Sequence, residues 1–177
     1  MIALVDMDGV ITDFTTTAMV YHNITFNTVS KYPEKYDWMY GLMPPKDFWQ
    51  PLGEKFYTNL PWIKDGKEIL SIIENAFDDI YLLSSPTMNT GCWSGKMLWI
   101  EKHLPRYKRR IMLGSNKYLC AGLDRILFDD SEENITKFRK YDGHGILVPR
   151  PWNANRNLNT IEYIKERIKN VKGLQTN

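Results

Sequence analysis

A short apolar run, Ile2-Ala3-Leu4-Val5, ends abruptly in Asp6-Met7-Asp8-Gly9-Val10, where two carboxylates stand two residues apart with glycine behind them. So brief a run, closed by charge, reads as a buried strand rather than a helix. In an extended chain residues i and i+2 face the same way, so Asp6 and Asp8 are expected to aim at one spot beyond the strand's carboxyl end. In open α/β sheets that is where ligands bind. Gly9 lets the backbone turn tightly and come close to a ligand. Two crowded acids repel each other unless a cation or a proton joins them, which points to a Mg²⁺ site handling phosphate.

The rest of the chain alternates in the same style. Short apolar runs at 80–83, 110–113, 125–128 and 145–148 are bounded by Gly, Pro, Ser or Asp and read as further strands. Between them lie helical patterns. Asp65 with Glu68 resembles a capping box ahead of Ile69, Ile72, Ile73 and Ala76. Ser94 is expected to cap a helix carrying Met97, Leu98, Ile100 and Leu104, stopped by Pro105. Ser131 precedes Glu132 and Glu133, acids suited to a helix start, with Ile135 and Phe138 facing inward. Asn159 with Glu162 opens a last helix whose stripe is Ile161, Ile164, Ile168 and Val171. Strands alternating with helices imply an α/β fold, a Rossmann-like parallel sheet flanked by helices on both faces.

The interval between the first two strands is too long for a simple crossover and holds about half of the chain's aromatic residues. It includes Phe14, Phe26, Tyr32, Trp38, Trp49, Tyr57 and Trp62. The expected division is an α/β core at 1–13 and 77–177 with a small helical cap, 14–76, inserted after the first strand. A net charge of +2 is too mild to argue for a nucleic-acid polymer but suits a small anionic substrate. Only Cys92 and Cys120 are present, which gives neither a disulfide framework nor a zinc site. The opening apolar run is about five residues long without a basic lead, unlike a signal peptide. No stretch approaches the roughly 20 apolar residues that span a bilayer. A cytoplasmic setting without a membrane partner is expected, and the Asn-x-Thr patterns at Asn23 and Asn134 are discounted as glycosylation sites.

Asp-x-Asp alone is weak. A calcium loop of the EF-hand type is ruled out, because Gly9 is fourth and Thr17 twelfth from Asp6 where that loop needs Gly at six and Glu at twelve. Downstream, three further pieces each follow a predicted strand at its carboxyl end: Ser84-Ser85-Pro86, then Lys117, then Asp129-Asp130-Ser131. Each alone has an ordinary reading as a turn, a solvated lysine or a helix cap. Together they are what phosphoryl transfer needs: nucleophile, acid/base, hydroxyl donors, a cation and metal ligands.

This order, Asp6-Met7-Asp8-Gly9-Val10, Ser84, Lys117, Asp129-Asp130, resembles the haloacid dehalogenase superfamily of phosphohydrolases over the whole chain. More narrowly it is similar to the 5′(3′)-deoxyribonucleotidases. The first string runs on to Phe14 as in that family, Ser84-Ser85-Pro86 is similar to its Thr-Ser-Pro, and Lys96-Met97-Leu98-Trp99-Ile100-Glu101-Lys102 is similar to its Lys-x-x-Trp-Val-Glu-Lys. Ser84 departs from the Thr of animal members but keeps the hydroxyl. The cap matches poorly residue by residue.

The resemblance implies a Mg²⁺-dependent phosphatase acting on (deoxy)nucleoside monophosphates. It makes Asp6 the nucleophile and Asp8 the acid/base. Mg²⁺ would be held by Asp6, the Asp8 backbone carbonyl and Asp130, with Asp129 behind them. Ser84, Ser85 and Lys117 would hold phosphate oxygens. Phe14 is the expected base-stacking residue, with Trp38, Trp49 and Tyr57 as further candidates. Trp99 is expected to pack helix on sheet, and Lys102, Arg106, Lys108, Arg109 and Arg110 to form a solvated face. Two alternatives stay open: a phosphatase of the same fold acting on another small phosphorylated metabolite, and a catalytically silent nucleotide-binding protein. The preferred base is not legible, and a homodimer is left open.

Overall fold

The computed structural model describes residues 1–24 and 35–174; Phe26 and Tyr32, named above, and Thr25 of the Asn23 pattern lie outside the described residues. Five strands form one parallel sheet in the order β3-β2-β1-β4-β5: β1 (Ile2–Val5), β2 (Asp79–Ser84), β3 (Ile111–Leu113), β4 (Arg125–Asp129) and β5 (His144–Leu147). Chain order reverses beside β1, so the crevice outside the carboxyl ends of β1 and β4 is the expected ligand position. Val5 pairs with Leu82 on one side and Phe128 on the other, which brings those ends level.

Both faces are covered, as a parallel sheet requires. On one face Ala3, Val5, Leu82 and Phe128 pack with Ile69 and Ile73 of α4 (Gly66–Ala76), Trp99 and Ile100 of α5 (Thr90–His103), and Ile164 and Ile168 of α7 (Thr160–Leu174). On the other, Leu4, Leu83 and Leu127 meet Ile135 and Phe138 of α6 (Glu132–Lys140). The insert after β1 contributes α1 (Phe14–Tyr21), a 3-10 turn at Trp38–Gly41, α2 (Pro45–Trp49) and α3 (Glu54–Thr58). Its Phe14, Phe48, Phe56 and Tyr57 belong to the same buried cluster as the first face of the sheet. The helix α4 packs on α7.

Four local expectations are corrected. Strand pairing stops at Val5, so Asp6 and Asp8 are not presented by strand alternation. Asp6 still donates its N–H to the Phe128 carbonyl; then the Met7 carbonyl accepts from Ile11 and Thr12, and a tight loop delivers Asp8. Second, α5 starts at Thr90, capped by Asn89, not at Ser94. Its buried face is Cys92, Gly95, Lys96, Trp99 and Ile100, while Leu98 faces outward. A buried lysine in the middle of that face disguised the stripe. Third, Asp65 precedes α4 but its side chain makes no capping bond; Arg150 takes both of its carboxylate oxygens instead. Fourth, Trp99 does more than pack on the sheet, because its indole N–H donates to the Leu60 carbonyl at 2.8 Å and ties α5 to the end of the insert.

The Ser131 cap of α6 and the Asn159 bonds at the start of α7 are as expected. Arg106, Lys108 and Arg110 make surface ion pairs with Glu74, Glu101 and Asp79. Among the described residues no helix is long and apolar enough to cross a membrane.

Candidate active site

The carboxyl ends of four strands converge. Asp6 follows β1, Ser84 ends β2, Lys117 follows β3 at the start of a 3-10 turn, and Asp129 ends β4 with Asp130 next to it. All five are buried.

Lys117 lies between two acids, with Nζ 2.8 Å from Asp6 Oδ1 and 2.6 Å from Asp129 Oδ2. Burial alone would lower the Lys117 pKa, but Asp129 and Asp6 outweigh it and hold the ammonium charged. Asp6 Oδ1 also accepts the Met7 N–H at 2.8 Å. Burial pushes the Asp6 carboxyl up to about 6 despite Lys117, and the nearby Asp129 and Asp8 add to the rise.

Asp129 and Asp130 have different surroundings. Asp129 is saturated: besides Lys117 it accepts the Ser131 N–H at 2.8 Å and the Asn134 amide on both oxygens, at 3.2 and 3.1 Å. Asp130 accepts the Trp152 indole N–H on Oδ2 at 2.7 Å, and its backbone carbonyl accepts the Asn153 amide at 3.0 Å. Its Oδ1 is buried without a hydrogen-bond partner among the described residues. Burial, then the charges of Asp129 and Asp6, raise its pKa well above the carboxylate range.

One carboxylate oxygen from each of Asp6, Asp129 and Asp130 lies within 4.8 Å of the others. An oxygen cluster with a strong excess of negative charge and an orphan acceptor fits a hard divalent cation. Gly9 completes this corner. Its φ is +79°, and a Cβ there would lie 2.2 Å from Asp130 Oδ2, so a side chain has no room.

Asp8 turns to a different partner. Its Oδ2 lies 2.5 Å from Lys96 Nζ and its Oδ1 accepts the Thr12 hydroxyl at 2.8 Å. Lys96 also donates to Ser84 Oγ at 3.0 Å and is itself 1% exposed. Ser85 donates to the Gly114 carbonyl at 3.5 Å.

A cavity of about 530 Å³ has Asp6, Asp8, Ser84, Ser85 and Lys117 on its floor and Phe14, Trp49, Tyr57 and Tyr36 on its walls. A second, of about 380 Å³, shares Asp8, Phe14, Tyr36 and Trp49 and adds Gly9, Trp38, Asp130 and Trp152. Phe14 stacks on Trp49 with centroids 5.6 Å apart and lies near-parallel to Tyr57 at 6.2 Å. Of the aromatic candidates, Phe14 and Trp49 line both cavities, Tyr57 only the larger and Trp38 only the smaller.

Sequence reasoning assigned no role to Lys96, Asn134, Trp152 or Tyr36. Lys96 carried a usable signal, since a lysine amid Cys92, Gly95, Trp99 and Ile100 sits on a helical face that is otherwise closed to solvent. Trp152 and Tyr36 carried none, because each comes to the site from a loop.

A family model described as "5′ nucleotidase, deoxy (Pyrimidine), cytosolic type C protein" matches residues 1–169. The chain is 26% identical over 135 residues to the "Putative 5′(3′)-deoxyribonucleotidase" of Vibrio phage KVP40, covering 75% of this chain and 68% of that one. Among solved structures it is similar to a HAD family hydrolase from Deinococcus radiodurans R1 with bound phosphate and sodium. The TM-score there is 0.53 at 15% identity, over 88% of this chain and 85% of that one. It is also similar to a HAD hydrolase, family IA, variant 3, from Entamoeba histolytica, with a TM-score of 0.50 at 15% identity over 95% and 99% of the two chains. These two likenesses concern the fold, which is the haloacid dehalogenase type expected from the sequence.

Proposed function

We propose that this chain, which belongs to the 5′ nucleotidase, deoxy (pyrimidine), cytosolic type C family, hydrolyses deoxynucleoside monophosphates with the help of Mg²⁺ through a phosphorylated Asp6. The observation that carries this reading is the larger cavity, with Asp6, Asp8, Ser84 and Lys117 below and an aromatic wall above. The floor suits a phosphate, and the wall suits a nucleoside base, whose stacking on an aromatic contributes about 1–3 kcal/mol.

In this reading Asp6 Oδ1 is committed to Lys117 and the Met7 N–H, so Oδ2 attacks phosphorus. The bond from phosphorus to the sugar oxygen breaks, and Asp8 gives that oxygen a proton. Asp8 then takes a proton from water, the water oxygen attacks phosphorus, and the bond to Asp6 breaks to release phosphate. Lys96 holds Asp8 and Ser84 from outside the cavity lining, and Ser84 and Lys117 on the floor would hold the phosphate oxygens. Asp6, Asp130 and the Asp8 carbonyl would hold Mg²⁺, with Asp129 locking Lys117 behind them. When bound, the ion supplies charge that offsets the repulsion between Asp6 and a dianionic phosphate. The insert acts as the cap over the nucleoside, with α4 counted to the core because it packs on α7. The free thiols of Cys92 and Cys120 suit a cytoplasmic setting.

The test is phosphate release from all deoxy- and ribonucleoside monophosphates and a panel of sugar phosphates, with and without Mg²⁺. An apolar wall where a 2′-hydroxyl would lie costs about 1–3 kcal/mol, so dUMP and dTMP should exceed UMP at least about tenfold in kcat/KM. Asp6→Asn should abolish release in a folded protein. Equal efficiency on ribo and deoxy substrates defeats the deoxyribonucleotidase reading, and a preference for a sugar phosphate replaces it.

A further inference from the structure

Arg150, in the segment after β5, is 6% exposed and faces no substrate cavity described above. Its guanidinium is fully engaged. Nε donates to the Gly9 carbonyl at 2.5 Å, Nη1 to Asp65 Oδ2 at 2.9 Å and the Pro149 carbonyl at 3.1 Å, and Nη2 to Asp65 Oδ1 at 3.0 Å and the Val10 carbonyl at 3.5 Å. The Asp65 contact is a two-pronged fork, the strong form of an ion pair.

Apart from the adjacent Pro149 carbonyl, its acceptors belong to two segments that pass each other: 9–13 leaves the core for α1, and 61–66 returns from the insert. Ile63 N–H donates to the Ile11 carbonyl and Asp13 N–H to the Pro61 carbonyl, each at 2.9 Å, and Thr12 bridges Trp62 in antiparallel fashion. At Gly66 a Cβ would lie 2.6 Å from the Ile11 carbonyl oxygen, so the two segments are in close contact. Arg150 braces this stem against the end of β5. A buried ion pair adds little stability over apolar side chains of equal volume, so its contribution lies in position. The position concerned is the Gly9 peptide, one residue after Asp8 and packed with φ +79° against the Asp130 carboxylate.

We propose that Arg150, aligned by Asp65, is a positioning residue that sets the Asp8–Gly9 turn against Asp130 and couples the cap stem to the catalytic end of the sheet. Only its kinetic consequence rests on the phosphatase reading. The test uses the full chain with Arg150→Lys, Asp65→Asn and the double variant. Lys keeps the charge but cannot form the fork. Hydrogen exchange is measured by mass spectrometry on a peptide spanning 7–13, alongside kcat and KM for phosphate release. Exchange there should quicken at least about tenfold in each variant, kcat should fall at least about tenfold with KM within about threefold, and the double variant should be no worse than the worse single one. If Arg150→Lys fails to fold, Asp65→Asn decides, since its carboxylate is 24% exposed and tolerates loss of charge. Unchanged exchange at 7–13 overturns the proposal whatever the activity. Quickened exchange with wild-type kcat, or loss of folding in both variants, also overturns it and leaves a purely structural brace. A wild type that releases phosphate from no nucleotide defeats the proposed function while the exchange result still judges Arg150.

Discussion

The indole N–H of Trp152 donates to Asp130 Oδ2 at 2.7 Å, while Oδ1 of the same carboxylate is buried with no hydrogen-bond partner among the described residues. The ring fixes one oxygen and so determines which way the other points. Partners of this kind typically contribute 10–100-fold to metal affinity. Trp152→Phe keeps the ring packing and removes the donor, so half-maximal Mg²⁺ for activity, and Mn²⁺ binding followed by proton relaxation, should both weaken about tenfold or more. Wild-type Mn²⁺ affinity in that variant would show that Asp130 needs no orienting partner.

Asp130 and Asp129 should part company in stability. The charged Asp130 is disfavoured by burial and by its acidic neighbours, so Asp130→Asn should raise Tm in metal-free buffer and abolish the rise that Mg²⁺ gives the wild type. Asp129→Ala leaves Lys117 buried with one carboxylate fewer. Breaking a buried pair costs about 3–5 kcal/mol, and the remaining Asp6 contact favours the lower figure. At about 3 kcal/mol, Tm should drop by about 6–12 °C. Thermal melts with and without Mg²⁺ check both, and an Asp130→Asn protein less stable than wild type without metal would refute the repulsion argument.

The raised Asp6 carboxyl gives a pH dependence of stability in the absence of metal. Its folded value, about 6, lies above the ordinary 3.8, so the folded state binds more protons across that interval. Stability from this group is present below pH 3.8 and is lost as pH rises through about 6. The difference corresponds to about 3 kcal/mol. Asp6→Asn cannot ionise, so in EDTA its Tm should overtake that of the wild type as pH climbs from about 4 to about 7. Parallel Tm curves over that range would mean that Asp6 is not destabilised by burial.

Lys96 touches Asp8 and Ser84 at once. Lys96→Met should leave the fold of α5 intact, because the position is helical and closed to solvent. Lys96 holds the proposed acid/base Asp8, and a positioned acid/base group typically contributes about 10²–10⁴, so kcat should fall by at least about 10². A loss confined to KM would make Lys96 a binding group only.

Much of this molecule is written in local patterns. Strand runs bounded by Gly, Pro, Ser or Asp, and apolar stripes in α4, α6 and α7, report burial that each segment carries in its own spacing, so the parallel α/β layout was legible. The same holds for Asp6, Ser84, Lys117, Asp129 and Asp130, because a strand's carboxyl end is a local feature and an α/β sheet gathers such ends together. Tertiary structure alone decided who pairs with whom. Pairing at β1 ends at Val5, so a loop rather than strand alternation presents Asp8, and Lys96 rather than a neighbouring acid holds it. Asp65 looked like a helix cap and serves as the carboxylate of Arg150, 85 residues further along the chain. Trp152 reaches Asp130 only because β5 lies beside β4. A buried polar group must find partners, but sequence spacing cannot name a partner brought in by the fold, and these long-range bonds were therefore settled by packing.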